Sequence, residues 1–329
     1  MYMPQRSLVG SLLGTVALML AALVVPPILQ AQDVGQGRAV LVTGASSGIG
    51  LRMTEVLARN GFHVYAGARS AEDLARLDGM DNVQSVRLDV NVLEEIDAAV
   101  MFVEEQGRGL HGLINNAGVA VIGPLIEMTE EDMAFQMDVN VFGPYRVTKA
   151  FAPLLTVSQG RVMTTGSISG ILSGPFLGAY SMSKHAVEAF TDALAAEMTR
   201  FGVEVSVVEP GNYNSQIGAT LVERMQASGY DPEDSMFPEE MRRYMDRMTQ
   251  YGEDPEPYDV AEAALDFLTS ETPKRRYMVV PTQRQAEVTI RKAIQEAVEL
   301  NQDHRFSFTR DELVAMVDEA LAGLEGGNE

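Results

Sequence analysis

The chain of 329 residues contains no cysteine and no tryptophan, and it has only four histidines. The absence of cysteine excludes disulfide bonds, a thiolate nucleophile and metal ligation by cysteine. No two of the histidines have the spacing of a metal-binding pair. We therefore expect no metal in this protein.

Positive charge is also scarce. Lysine and arginine number 25 against 46 aspartates and glutamates, which gives a formal net charge of -21. A nucleic-acid partner would require a basic face, so we expect none. Apolar residues make up 46% of the chain, which is enough for a substantial core in one large domain or two small ones.

One long uncharged segment lies near the N-terminus. Residues 8–25 carry no charge, follow Arg6 and end at Pro26. This length is at the lower limit for a membrane span and exceeds an ordinary signal-peptide core. We expect residues 1–36 to be a signal or membrane-anchor segment with a linker, and the protein to associate with a membrane through residues 8–29. The side of the membrane stays open, and a buried helix or an over-extended start is the alternative.

From residue 37 onward, short apolar runs alternate with segments of helical periodicity. Seven runs have strand character: 39–42, 63–68, 83–90, 112–114, 161–165, 203–209 and 277–280. This alternation predicts an α/β fold with a doubly wound parallel sheet and helices on both faces, over residues 37–282. Residues 283–329 are predicted to form a helical C-terminal extension. Ligands of such sheets bind at the carboxyl ends of the strands.

A glycine-rich turn follows the first predicted strand. Gly44, Gly48 and Gly50 lie between a strand and a helix in the pattern T-G-x-x-x-G-x-G. Glycine lets the backbone approach a pyrophosphate, and the helix N-terminus offers free N–H groups. We therefore predict nucleotide binding here, with a plain β–α turn as the alternative.

The end of the second predicted strand bears on the choice of cofactor. Ala68 and Arg69 stand where many NAD-binding proteins have an acidic residue for the adenosine ribose, and an arginine there suits a 2′-phosphate. This favours NADP(H) over NAD(H), unless Arg69 is only a solvated loop residue. Ser47, which precedes Gly48, is not basic, so a second phosphate contact is missing.

Tyr180 and Lys184 are four residues apart in a segment of helical periodicity. That spacing places both side chains on one helix face, where the cation favours the phenolate and lowers the tyrosine pKa. The alternative is an ordinary surface pair, which contributes only about 0.2–0.5 kcal/mol.

Taken together, these motifs resemble the short-chain dehydrogenase/reductase family in its shorter single-domain form. The resemblance covers roughly residues 38–285. It is carried by the glycine turn at 43–50, Asp89, the Asn-Asn-Ala-Gly motif at 115–118, Asn140, Ser167, Tyr180, Lys184 and Pro210-Gly211.

The resemblance implies roles for four catalytic residues. Tyr180 would exchange a proton with the substrate oxygen while the nicotinamide carries the hydride. Lys184 would hold the nicotinamide ribose and lower the pKa of Tyr180. Ser167 would orient the substrate oxygen, with Ser169 as the less favoured alternative, and Asn140 would hold a water in a proton relay.

The resemblance also implies a set of cofactor contacts. Asp89 and Val90 would meet the adenine, Asn115 would line the cofactor or only brace the central strands, and Ser215 would replace a threonine that commonly contacts the carboxamide. The full set is Gly44, Ser46, Ser47, Gly48, Ile49, Gly50, Arg69, Asp89, Val90, Asn115, Ala117, Gly118, Tyr180, Lys184, Pro210, Gly211 and Ser215.

The insert at residues 212–257 would cover the substrate. It is rich in methionine, and Met241, Met245 and Met248 share a helical face. Either this helix packs on the core, or the insert is a pliable lid over a steroid-, retinoid- or lipid-like alcohol or ketone. The basic cluster Lys274-Arg275-Arg276 is expected to cap a helix end in solvent.

We therefore predict an NAD(P)-dependent oxidoreductase that acts on a hydrophobic alcohol or carbonyl compound and that forms a homo-oligomer. The alternative is a catalytically silent cofactor-binding regulatory or scaffold protein of the same fold. An epimerase or dehydratase is disfavoured because the chain lacks a large C-terminal sugar domain.

Overall fold

The computed structural model describes residues 34–249 and 254–326. The predicted signal or anchor segment, including residues 8–29, lies outside these ranges and stays a prediction. None of the described helices combines the length and the apolarity that a bilayer span requires.

Seven parallel strands form a single sheet in the order β3-β2-β1-β4-β5-β6-β7. The strands are β1 (Ala39–Val42), β2 (His63–Ala68), β3 (Val83–Arg87), β4 (Gly112–Asn115), β5 (Arg161–Thr165), β6 (Glu204–Pro210) and β7 (Arg276–Val279). The order reverses direction between β1 and β4, which makes that point the switch of a doubly wound fold. The predicted fold class is confirmed.

Eleven helices of eight or more residues are found in the described part of the chain. They are α1 (Gly48–Arg59), α2 (Ala71–Asp78), α3 (Leu93–Glu105), α4 (Glu130–Met137), α5 (Gly143–Ser158), α6 (Gly178–Met198), α7 (Ile217–Ala227), α8 (Pro238–Thr249), α9 (Tyr258–Thr269), α10 (Gln283–Leu300) and α11 (Arg310–Gly326). Side-chain caps begin several of them: Ser70 accepts from the Asp73 amide before α2, and Thr129 accepts from the Asp132 amide before α4.

The sheet is buried on both faces. In β1, Val40 and Val42 belong to the apolar core beneath α1 and α9, while Ala39 and Leu41 belong to the core beneath α3 and α5. Successive side chains of a strand point to opposite faces, so a strand covered on both sides is apolar throughout. This explains why the strands are visible as continuous apolar runs in the sequence.

The helical segment between β4 and β5 is interrupted. A π-helical turn at Asp138–Phe142 separates α4 from α5, and Asn140 lies in that turn. A π-turn adds a residue to the helix and reorients nearby side chains, often at functional sites. Here it accompanies the pairing of the Asn140 side chain with the Val119 backbone.

The insert folds into α7 and α8 with a 3₁₀ turn at Pro232–Asp234 between them. It forms a third apolar cluster, here called the lid cluster. Its members are Ile122, Leu221, Met225 and Met241, all buried, with Phe176, Leu177, Tyr230, Phe237, Tyr244, Met245 and Met248 partly buried against them. The cluster thus joins the insert to the segments around Ile122 and Phe176.

Candidate active site

The carboxyl ends of β1 and β4 are joined by a small hydrogen-bonded network. The hydroxyl of Thr43 accepts from the amides of Asn116 (2.9 Å) and Ala117 (3.0 Å). The Asn116 side chain donates in turn to the carbonyls of Thr43 (3.1 Å) and Gly44 (3.2 Å). The glycine turn is therefore fixed against the Asn-Asn-Ala-Gly motif.

The glycine turn has the geometry of a phosphate cradle. Gly44 and Gly48 have φ of +64° and +51°, and a Cβ at Gly50 would lie 2.2 Å from the Gly44 oxygen. Ser47 precedes α1 without a side-chain cap, so it leaves the first amides of the helix to other acceptors. The turn and the helix N-terminus fit the pyrophosphate of a dinucleotide. Ser46 and Ile49 are part of the same turn.

Ser215 lies against this cradle, since a Cβ at Gly48 would be 3.1 Å from the Ser215 Cβ. The preceding turn is tied down by Gly211, whose amide donates to the Val279 oxygen, and by the Asn212 amide, which donates to Gln285 Oε1 (2.9 Å). Gln285 belongs to α10, beyond the domain boundary predicted at residue 282, and was not among the predicted site residues.

At the adenosine end, Arg69 follows β2 and is 70% exposed, with Nη1 3.9 Å from Asp89 Oδ2. A second arginine is close by: Arg76 of α2 donates from Nη2 to the Ser46 oxygen in the glycine turn (2.5 Å) and to Asp73 Oδ1 (2.7 Å). The position directly before Gly48 offers no cation, so this second cation was not predicted. The missed signal is a basic residue in the last turn of the next helix.

Asp89 and Val90 occupy the turn after β3. Asp89 Oδ1 accepts from the Asn91 amide (3.0 Å), and the Asp89 amide donates to Glu95 Oε2 (2.7 Å). Val90 packs on the start of α5, where a Cβ at Gly143 would lie 2.8 Å from it. Both residues are held in place, and their contact with adenine stays a prediction.

The Asn115 side chain ties β4 to a helix and not to a neighbouring strand, since its Nδ2 donates to the Thr148 hydroxyl of α5 (2.8 Å). Its Oδ1 is buried and has no hydrogen-bond partner among the described residues. A buried acceptor of this kind fits a donor group on a cofactor. The contact of Asn115 with a cofactor stays a prediction.

Tyr180 and Lys184 lie one turn apart on α6, as the spacing predicts. The Lys184 Nζ is 5.6 Å from the Tyr180 ring centroid and donates to the Thr165 oxygen (2.8 Å). Ser167, in the turn after β5, lies close enough to Tyr180 for its hydroxyl to favour the phenolate form. Its own hydroxyl accepts from the Ser169 amide (3.1 Å). The structure therefore brings Ser167, Tyr180 and Lys184 together.

Burial controls the ionisation of this pair. It raises the pKa of Tyr180, and the hydrogen bond from Ser167 only partly opposes it. It lowers the pKa of Lys184 to about 8, against the attraction of Glu188. Both the four-residue spacing of Tyr180 and Lys184 and the family resemblance predicted a lowered tyrosine pKa. The residues of this chain by themselves act in the opposite direction, because desolvation disfavours both charged forms.

Asn140 is fully engaged by its neighbours. Its Oδ1 accepts from the Val119 amide (2.8 Å), and its Nδ2 donates to the Val119 oxygen (2.9 Å) and to Ser183 Oγ (3.1 Å). Ser183 donates to the Tyr180 carbonyl oxygen (2.7 Å), and Gln136 supports the same Val119 oxygen (3.0 Å). Asn140 is thus linked to the Tyr180 backbone, while its role in a water relay stays a prediction.

Gln136 and Ser183 were not identified from the sequence. The signal that could have identified them is their position relative to predicted site residues. Gln136 precedes Asn140 by four residues, which is one helical turn, and Ser183 directly precedes Lys184.

The expectation for the basic cluster 274–276 was wrong in part. Arg276 begins β7 and does not cap a helix. Its guanidinium pairs with Glu188 of α6 and with Glu209 of β6, which is 3.2 Å away. A strand was not expected to start with a charged residue that pairs inside the protein.

Comparison with known proteins agrees with this geometry. A model of the short chain dehydrogenase family matches residues 38–226. An Escherichia coli K12 protein described as uncharacterized oxidoreductase YbbO is 40% identical over 176 residues, which is 53% of this chain and 65% of that protein. The match thus spans slightly less than two thirds of that relative.

Two mammalian relatives have assigned activities. The mitochondrial D-beta-hydroxybutyrate dehydrogenase of Rattus norvegicus is 35% identical over 266 residues, covering 74% of this chain and 77% of that protein. Retinol dehydrogenase 7 of the same organism is 40% identical over 196 residues, covering 58% and 61%.

Solved structures give the same fold. A short chain dehydrogenase/reductase of Burkholderia phymatum, in complex with NAD, aligns with a TM-score of 0.68 at 25% identity, covering 86% of this chain and 100% of the other. A variant of the actinorhodin polyketide ketoreductase with NADPH aligns with a TM-score of 0.62 at 29% identity, covering 75% and 97%.

Proposed function

The chain belongs to the short-chain dehydrogenase/reductase family, and on that premise we propose that it is an NAD(P)-dependent oxidoreductase that interconverts an alcohol and a carbonyl compound. The observation that carries the proposal is the proximity of Ser167, Tyr180 and Lys184. Hydrogen bonds from Lys184 to Thr165, from Thr165 to Asn116 and from Asn116 to Gly44 connect them to the glycine cradle. The nicotinamide cofactor, when bound, supplies or accepts the hydride.

The residues of the chain then handle the proton and the oxygen. The Tyr180 phenol donates its proton to a carbonyl oxygen during reduction and takes it back during oxidation. The Ser167 hydroxyl, which lies near Tyr180, is placed to bind the same oxygen and to stabilise the charge that develops there. Lys184 presents its ammonium on the same helix face for the ribose hydroxyls of the cofactor.

We propose a hydrophobic substrate, of the steroid, retinoid or lipid type. Support comes from the lid cluster. Phe176 lies on the segment between Ser167 and Tyr180. Its ring centroid is 5.4 Å from the ring centroids of both Phe237 and Tyr244 of the insert. A wall of adaptable methionine side chains and aromatic rings suits an apolar ligand. The similarity to a retinol dehydrogenase supports the same class.

The preferred cofactor in this proposal is NADP(H). Arg69 and Arg76 place two guanidinium groups beside the turn after β2, where a 2′-phosphate lies in folds of this type. NAD(H) is the alternative, because a structural relative was solved with NAD.

A silent scaffold protein of the same fold is the rival hypothesis. A scaffold protein would keep the glycine cradle but would not need Ser167, Tyr180 and Lys184 to lie close together. The two hypotheses differ in turnover and not in cofactor binding.

A substrate screen tests the proposal directly. NADPH and NADH oxidation should be followed at 340 nm (the absorbance of reduced nicotinamide) with panels of ketones and aldehydes. We expect kcat/KM for large apolar carbonyl compounds to exceed that for short polar ones about tenfold or more. Binding of NADPH without turnover on any panel would favour the scaffold protein, and a preference for short polar compounds would contradict the substrate class.

We further propose that residues 8–29 attach the protein to a membrane. The full-length chain should sediment with the membrane fraction, whereas a chain that begins at residue 34 should stay in the supernatant. Protease accessibility of the C-terminus then assigns the side of the membrane. A full-length chain found intact in the supernatant would contradict the anchor.

A further inference from the structure

Helix α6 carries a charged side chain behind its two catalytic residues. Tyr180, Lys184, Glu188 and Asp192 follow one another at four-residue intervals and so lie on one helix face. The side chain of Glu188 is only 12% exposed, whereas that of Asp192 is 55% exposed. The face thus runs from the site through the interior to the surface, and Glu188 is its largely buried carboxylate.

Glu188 lies directly beneath the turn that carries Ser167. A Cβ at Gly166 or at Gly170 would be 2.8 Å from Glu188 Oε1, so the two glycines that flank this turn leave room for the carboxylate. Oε1 has no hydrogen-bond partner among the described residues, and Oε2 pairs with Arg276. A buried carboxylate with a single partner is costly. The proton-transfer scheme does not explain why it is there.

The charges around Glu188 are unequal. Arg276 forms ion pairs with three carboxylates: Glu188, the buried Glu209 (3.2 Å) and the exposed Asp192 (2.6 Å). Arg275 also pairs with Asp192 (3.2 Å). The turn at 165–170 adds no titratable side chain. Burial, and next the repulsion from Glu209, raise the pKa of Glu188 to about 7, while Arg276 opposes them.

Lys184 is the group that this carboxylate acts on. The ammonium is buried and is held by one carbonyl oxygen, that of Thr165. Burial lowers the pKa of Lys184, and the negative charge of Glu188 is the attraction that opposes burial. Glu209 is further along the cluster and acts on Glu188.

We propose that Glu188 is a positioning residue, a buried counter-ion that keeps the Lys184 ammonium charged for the cofactor ribose and for Tyr180, with Arg276 and Glu209 setting its own charge. The inference rests on the proposed function, because it assigns Lys184 to the cofactor. Without the carboxylate, the lysine loses its proton at a lower pH, and the ribose loses a charged donor.

The test uses NADPH binding, followed by the fluorescence of the nicotinamide between pH 6 and 10. In the wild type, affinity should fall as Lys184 loses its proton near its pKa of about 8. In Glu188→Gln, which keeps the shape and removes the charge, the midpoint of this fall should move to lower pH by about one unit or more. Asp192→Asn, one turn further along the same face, should leave the midpoint in place.

Glu188→Asp separates the charge from the packing. It keeps the carboxylate and shortens the side chain, so its midpoint should stay near that of the wild type. A role limited to packing beneath the Ser167 turn predicts the reverse order, with Glu188→Asp more affected than Glu188→Gln. Either an unmoved midpoint in Glu188→Gln or an equal shift in Glu188→Asp would overturn the inference.

If Glu188→Gln does not fold, as judged by circular dichroism, Glu209→Gln carries the test. This substitution removes the repulsion between Glu209 and Glu188, and Arg276 then pairs with one buried carboxylate fewer. The pH midpoint of NADPH binding should therefore stay or rise, and a fall would overturn the inference. A wild type that binds NADPH but reduces no carbonyl compound would contradict the proposed function and leave this comparison intact. A wild type that binds neither NADPH nor NADH would overturn both.

Discussion

Replacement of Tyr180 by phenylalanine should lower kcat by about 10²–10⁴-fold, the range of a lost general acid. The affinity for NADPH should stay within about threefold, because the ring keeps its place near Lys184 and the backbone contact to Ser183 does not involve the phenol. Only the proton donor is removed. The measurement is kcat with the best carbonyl compound of the screen, together with the dissociation constant of NADPH.

Tyr145→Phe is the matched control, since Tyr145 lies exposed on α5 and its phenol takes no part in the site. It should behave as the wild type in both measurements. Turnover by Tyr180→Phe within about tenfold of the wild type would show that another group supplies the proton.

The ionisation of Tyr180 gives this prediction a direction. Because burial raises the pKa of the phenol, the chain by itself keeps Tyr180 protonated at neutral pH. That is the form which reduction of a carbonyl compound requires. Oxidation requires phenolate, and the cation that can favour phenolate is Lys184, whose own pKa of about 8 limits it to the range below that pH.

The sheet and the catalytic pair were predictable because they depend on local pattern. Strands covered on both faces are continuous apolar runs, as in 39–42, and helical spacing alone placed Tyr180 beside Lys184. Residues that join distant parts of the chain were not predictable in this way. Gln285 reaches the turn at 211–212 from α10, and Arg276 reaches Glu188 across 88 positions. Neither contact has a local signal.

Two further differences arise from burial and from hydrogen bonding of the backbone. The interruption of the helix at Asp138–Phe142 accompanies the hydrogen bonds between the Asn140 side chain and the Val119 backbone. The helical periodicity of the sequence carries no sign of such a contact. The direction of the Tyr180 pKa depends on desolvation, and a sequence shows which charges are near in the chain but not how much water is removed.

The second large effect should come from the two arginines at the adenosine end. Arg69→Ala and Arg76→Ala should each weaken NADPH binding about tenfold, and the double variant roughly 10²-fold, while NADH binding changes by less than about threefold. A charge-assisted hydrogen bond contributes about 1.5–3 kcal/mol, and the exposure of Arg69 places it at the lower end. Because about 1.4 kcal/mol corresponds to a factor of ten, one such contact accounts for each step.

Arg76 can bind the 2′-phosphate or support the glycine turn, since its guanidinium also donates to the Ser46 oxygen. The effects of Arg76→Ala on NADPH and on NADH binding distinguish these two roles. If Arg76 acts on the 2′-phosphate, only NADPH is affected by its loss, because NADH has no phosphate there. If it only supports the turn, Arg76→Ala weakens both cofactors equally, because both place a pyrophosphate in the cradle. Arg59→Ala, on α1 and exposed, is the control for a lost positive charge and should leave both dissociation constants unchanged. Unchanged NADPH binding in the double variant would show that neither arginine contacts the 2′-phosphate, and the support for an NADP(H) preference would be lost.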